Sequence, residues 1–162
     1  MKSLTFRPFQ SGDAAAFRQL NEAWITQYFS LEPIDRDVLG DPVEHILRPG
    51  GEIVLALLGD RVVGCCALLA MDGGGFELGK MAVAEDCRGR GIGKTMLAHV
   101  IERARALGAP RIYLETNTIL PNAIHLYESH GFSHLPAERV RRSPYARSNL
   151  YMEMFLERGS EK

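Results

Sequence analysis

Apolar positions along the chain recur in two rhythms, one of two residues and one of three to four, and the changes of rhythm divide it into strands and helices. "LTFRP" (4–8) alternates and stops at Pro8, predicting a short strand. Asp13 is placed to cap a helix in which Phe17, Leu20, Trp24 and Tyr28, at three- and four-residue spacing, form the inward face. "SLEPIDRDVLGDPVEHILRPGG" is broken by Pro33, Gly40, Pro42 and Pro49, which predicts a short helix, a turn and a second helical piece. "EIVLALLGDRVVGCCALLAM" holds two apolar runs around Gly59-Asp60 and reads as a hairpin. After the glycines at 73 to 75, "FELGKMAVAED" adds a third strand of an antiparallel meander.

The rhythm then turns helical. Ile92, Met96, Leu97, Val100, Ile101, Ala104 and Leu107 make one apolar face, and Gly108 stops it. "RIYLETN" (111–117) is a buried strand, and "PNAIHLYESHG" (121–131) is a short helix between Pro121 and Gly131. "FSHL" and "SNLYMEMFLE" close the chain as strands. The order βααβββαβαββ predicts an α/β (α+β) fold, a mixed central sheet with helices on both faces. With 162 residues and no linker or repeat, the whole of 1–162 is expected to be one domain.

Composition narrows the function classes. A net charge of -1 and a pI near 6.5 argue against nucleic-acid binding, which favours a basic domain. No run approaches the roughly 18 apolar residues of a membrane span, and the start lacks a signal-peptide core, so a cytoplasmic protein with no membrane partner is expected. The three cysteines (Cys65, Cys66, Cys87) cannot all pair, and Cys65 and Cys66 point to opposite faces of a strand. They show no metal-ligand spacing, and neither do His45, His99, His125, His130 and His134, so no metal is expected.

The segment "CRGRGIGKT" (87–95), just before a helix, is the main candidate for chemistry. A nucleotide P-loop with Gly93-Lys94-Thr95 in place requires glycine at position 88, where the chain has Arg88. Glycines at 89, 91 and 93 also miss the dinucleotide spacing G-x-G-x-x-G. What the segment satisfies is R-x-x-G-x-G, from Arg88 to Gly93, directly after "KMAVAED". Small residues let a backbone approach a pyrophosphate, and N–H groups at a helix N-terminus point at its oxygens.

In this loop, in "AIHLYESHGF" (123–132) as A-x-x-L-Y-E-x-x-G-F, and in the order of elements, the chain resembles the GNAT family of N-acetyltransferases. The resemblance implies a sheet whose fourth and fifth strands splay apart, with acetyl-CoA as cofactor. It implies pantetheine pairing with the main chain of Met81, Ala82 and Val83, and pyrophosphate held by Arg88, Gly89, Arg90, Gly91, Ile92, Gly93 and Lys94, with Asn122 touching CoA. Tyr127 matches a tyrosine that protonates the departing thiolate; a core tyrosine is its other reading.

Glu77 matches a general-base glutamate and, by the period of two, shares a face with Gly79 and Met81; a solvent-facing strand glutamate is the alternative. Glu115 is a second candidate base, and Asn117 a further CoA contact. The acceptor region is implied to lie among the N-terminal helices, with Trp24, Tyr28 and Phe29, and the loop "ERVRRSPYARSN". There Arg139, Arg141, Arg142 and Arg147 form a positive cluster suited to an acceptor carboxylate or phosphate. The reading is an acetyltransferase acting on a primary amine of a small molecule or amino group through a ternary complex, with a homodimer plausible. Its alternatives are a protein or peptide amino-group acetyltransferase and a non-catalytic acyl-CoA-binding regulatory module.

Overall fold

A computed structural model of the chain describes residues 2–157. The strands are β1 (Leu4–Pro8), β2 (Glu52–Leu58), β3 (Arg61–Ala70), β4 (Phe76–Val83), β5 (Arg111–Thr116), β6 (Ser133–His134) and β7 (Leu150–Phe155). The helices are α1 (Ala14–Tyr28), α2 (Pro33–Gly40), α3 (Ile92–Ala106) and α4 (Pro121–Ser129), with a π-helical turn at Val43–Leu47. The sheet order is β1-β2-β3-β4-β5-β7-β6. Every pairing is antiparallel except β4 with β5. The expected order βααβββαβαββ and the helices on both faces are therefore found. Among the described residues, no helix is long and apolar enough to cross a membrane.

The sheet separates two cores, as the alternation of its strands requires. One packs α3 against Cys66, Leu68, Leu78, Ile112 and Leu114; the other packs α1 and α2 against Leu55, Cys65, Ala67 and Ala82. Cys65 and Cys66 thus face opposite layers as predicted, and all three cysteines are free. Each large apolar side chain buried here contributes about 1.5–3 kcal/mol relative to exposure.

Three local expectations are corrected. On α1 the buried stripe is Phe17, Asn21 and Ile25, while Leu20 and Trp24 are half-buried and Tyr28 is 42% exposed. A polar residue hid this stripe: Asn21 is buried because its amide donates to the Phe17 carbonyl and to Cys65 Sγ. Asp13 does precede α1, but its carboxylate binds the Arg7 guanidinium and the Gln10 N–H rather than the helix. On α3 the first six predicted positions are buried, whereas Leu107 is 43% exposed because the last helical turn ends before it.

Candidate active site

The sheet opens at its centre. β4 and β5 pair only over Phe76–Leu78 and Ile112–Leu114. Beyond this point Glu115 and Thr116 pair with β7 alone, and among the described residues the edge of β4 that faced β5 has no strand partner. A bulge coincides with the parting. Ala67 opposes Gly79 and Cys65 opposes Ala82, so Lys80 and Met81 together stand opposite Cys66. A bulge bends its strand and increases the local twist, which carries β4 away from β5.

Lys80 has φ 49°, a left-handed backbone that costs a residue with a Cβ roughly 1–2 kcal/mol. Its surroundings hold it there. Its Nζ lies 2.8 Å from Asp35 Oδ1 and 3.2 Å from the Tyr145 hydroxyl, and the Cys65 thiol donates to its carbonyl. The bulge also breaks the period of two. Glu77 and Gly79 share the α1 side, but Met81 packs against the α3-side core, so the expected common face of Glu77 and Met81 does not form.

Two adjoining hollows occupy the opening. The first, a cavity of about 310 Å³, lies between α1, α2, β4, β5, α4 and the loop before β7, and both Glu77 and Tyr127 line it. The second, also about 310 Å³, lies between Val83, the turn Arg88–Gly93 and the Asn122–Leu126 part of α4. Ala123 borders both.

The turn is built by glycine conformation. Gly91 stands at the N-cap of α3 with φ 77° and Gly89 has φ 79°, and a Cβ at either would meet nothing within 4 Å. The space there is open to a ligand. The first bond of α3 in this turn runs from the Thr95 N–H to the Gly91 carbonyl, so the N–H groups of Ile92, Gly93 and Lys94 precede any helical partner. With the positive end of the helix dipole they form an anion cradle. Arg88 is partly engaged, its Nε donating to the Val83 carbonyl at 3.1 Å and its Nη1 to Gln27 on α1. Arg90 and Lys94 project into solvent at the rim.

Glu77 is the perturbed acid of the first cavity. Burial, aided by the charge of Glu115, pushes its carboxyl from 4.5 up to about 7, with Lys80 opposing. Glu115 accepts hydrogen bonds from the Tyr113 and Ser143 hydroxyls. Burial pushes the Tyr127 phenol well above its ordinary range, so it is a proton donor at neutral pH; its ring meets Phe132 edge-on at 5.9 Å. Asn117 is spent on structure, donating to the Arg147 carbonyl and accepting from the Ile119 N–H.

The predicted arginine cluster does not assemble as one patch. Arg139, itself exposed, pairs with Glu153, and Arg147 grips the fully buried Asp35 with two bonds of 2.6 Å and reaches Glu32 at 3.2 Å; Arg141 and Arg142 also lie exposed. Burial would raise the Asp35 carboxyl, but hydrogen bonds from Arg147 and Lys80 outweigh it and hold it well below the usual range. Tyr145 lies between the two cations, 4.7 Å from Lys80 Nζ and 4.5 Å from the Arg147 guanidinium carbon. Sequence reasoning missed Asp35, Lys80, Tyr145 and Ser143. The one visible signal was a lysine beside Gly79 inside an apolar strand, which suggests a bulge.

Residues 16–132 match the Acetyltransferase (GNAT) family. The chain belongs to this family. It is 34% identical over 136 residues to an IAA acetyltransferase of Azospirillum brasilense, covering 76% of this chain and 86% of that protein. To the uncharacterized N-acetyltransferase YjgM of Escherichia coli K12 it is 44% identical over 59 residues, 36% of this chain and 35% of that one. An acetyltransferase of Bacillus subtilis solved in complex with CoA superimposes with a TM-score of 0.73 at 20% identity, covering 96% of this chain and all of its own. The GNAT chain is accordingly an acyl-CoA-dependent acetyltransferase, and its splayed sheet is the shared fold.

Proposed function

We propose that this GNAT protein moves acetyl from acetyl-CoA to a primary amine of a small molecule or amino group, directly within a ternary complex, with Glu77 as general base and Tyr127 as general acid. The observation that carries the reading is continuity. The free edge of β4 and the glycine cradle at α3 border one opening, and that opening leads to the two proton-transfer groups.

The fit to the cofactor is physical. The unpartnered N–H groups of Ile92, Gly93 and Lys94, with Gly89 and Gly91, suit a pyrophosphate, and Arg88, Arg90 and Lys94 add positive charge. Met81 and Ala82 offer main chain to an extended amide arm, while the Val83 carbonyl already accepts from Arg88. Asn122 lies beside the second hollow. Bound acetyl-CoA supplies an activated thioester carbonyl.

An alkylamine, with a pKa of about 10.4, reaches the site as ammonium at neutral pH. A carboxylate with a pKa near 7 suits removal of that proton. Tyr127 presents a protonated hydroxyl to the cavity, where it can deliver a proton to sulfur. Overall one C–N bond forms, one C–S bond breaks, one amine proton replaces carbon on sulfur and another is released to solvent. Parallel calorimetric titrations with acetyl-CoA, CoA and ATP test the reading. Micromolar binding of the first two without ATP is expected, and binding of ATP alone, or of none, overturns it.

A further inference from the structure

Resting on the acetyltransferase reading, we propose that the acceptor is a monoamine with a compact apolar body and no acid group, its ammonium drawn to the Glu77–Glu115 wall and its body held by Trp24, Phe29 and Ile34. The cavity wall offers such a body room. Trp24 and Phe29 lie with ring centroids 6.3 Å apart, and Ile34 of α2 and Leu69 of β3 extend the same lining. Gly79 leaves the strand wall without a side chain at the level of Leu69.

Charge decides between an amine and an amino acid. Among the described residues, the cations lining this cavity are Lys80 and Arg147, and both are committed to Asp35. With Glu32 the cluster holds two cations and two carboxylates, which sum to zero. An acceptor carboxylate would have to draw Arg147 or Lys80 from a carboxylate with no solvent exposure, leaving Asp35 short of partners. It would also meet Glu77 and Glu115; burial first, and their mutual repulsion after it, raise the Glu77 carboxyl. A cation relieves that repulsion. A polyamine gains less, because among the described residues the lining holds no carboxylate beyond these two glutamates, and a second ammonium would lose water without an ion partner.

The loop before β7 closes over this cavity and keeps it selective. The Ala146 N–H donates to Glu32 Oε1 at 2.9 Å, Ser143 reaches Glu115, and Arg147 straps the loop to α2. Water is thereby limited around the two carboxylates, which strengthens their discrimination of charge.

Matched pairs that differ by one carboxylate test the proposal, phenethylamine against phenylalanine and tryptamine against tryptophan, with spermidine as the polycation. Each is titrated into the CoA-loaded protein by calorimetry and assayed separately for thiol release from acetyl-CoA. The monoamines are expected to bind and react with a kcat/KM at least about 100-fold above their amino acids, whose carboxylates face like charge in the cavity. Glu115→Gln, whose amide oxygen can still accept from one of the Tyr113 and Ser143 hydroxyls while its NH2 donates to the other, should narrow that ratio at least about tenfold.

Preference for an amino acid or spermidine overturns the proposal while leaving acetyl transfer intact, and so does a ratio unmoved in Glu115→Gln. Failure of every amine to bind also overturns it. Tight, selective binding of monoamines without thiol release upholds the acceptor class and refutes the transferase reading on which it was built.

Discussion

Glu77 should weaken the fold that holds it, and the deficit should depend on pH. Its carboxyl is raised from 4.5 to about 7, chiefly by burial, so the native state binds this proton more tightly than the unfolded chain does. A raised carboxylate pKa removes stability as pH climbs from 4.5 to 7, and the whole deficit is present above 7. At about 1.4 kcal/mol per unit the shift amounts to about 3 kcal/mol. Glu77→Gln keeps the shape and cannot ionise. It should match wild type to within about 0.5 kcal/mol near pH 4.5 and exceed it by about 3 kcal/mol at pH 8.5. In a protein of this size that gap is roughly 6–12 °C in Tm. Thermal and urea unfolding of both proteins at the two pH values measure it, and other carboxylates cancel in the comparison. In the same variant kcat should fall about 10²- to 10⁴-fold, and the wild-type rise of kcat/KM with an inflection near pH 7 should vanish. A Tm gap equal at both pH values, or a variant less stable at high pH, would refute the placement of an ionisable, desolvated base at Glu77.

Gly91→Glu sets a side chain on a backbone at φ 77° and a negative charge at the cradle, so acetyl-CoA affinity should drop at least about 100-fold by calorimetry; unchanged affinity sinks the assignment of the turn. Tyr127→Phe keeps the edge-on contact with Phe132 and should lower kcat by about 10²-fold with acetyl-CoA binding unaltered, measured by thiol release and titration; a full-rate variant removes the acid role. Asp35→Ala leaves Lys80 and Arg147 without their buried partner and should cost about 3–5 kcal/mol in urea unfolding, whereas a loss below about 1 kcal/mol would show that the cluster relaxes freely. That contribution should also fade in wild type as the pH falls below the ordinary Asp value, since the Asp35 carboxyl is held down in the native state.

What was legible in the sequence followed from local rules. Alternation gave β2 and β3, helical spacing gave α3, and the paired signatures at 88–93 and 123–132 gave the family, because each is encoded within one element. The acceptor side was not legible, since its chemistry arises between distant segments. Arg147 reads as one of several basic loop residues until the fold brings it against Asp35, 112 positions away. Asp35 in turn reads as an acidic residue in the first turn of a short helix, yet it is wholly buried. The inward face of α1 was misread for a related reason. Asn21 satisfies its amide through the Phe17 carbonyl and a cysteine on β3, and only that partner makes its burial tolerable.

The bulge links the two halves of the site. Without the extra residue, the alternation of β4 would carry Met81 to the face of Glu77 and Gly79, and the added bend that takes β4 away from β5 would be missing. The groove proposed for an extended cofactor arm therefore depends on Lys80 keeping a costly backbone angle. That angle is held largely by contacts of the Lys80 ammonium with Asp35 and Tyr145, and these same groups bind the loop over the acceptor cavity. One buried ion cluster thus supports the free strand edge on the proposed cofactor side and holds the loop over the proposed acceptor pocket. Asp35 lines neither hollow, yet Asp35→Ala should for this reason weaken calorimetric binding of both acetyl-CoA and the amine.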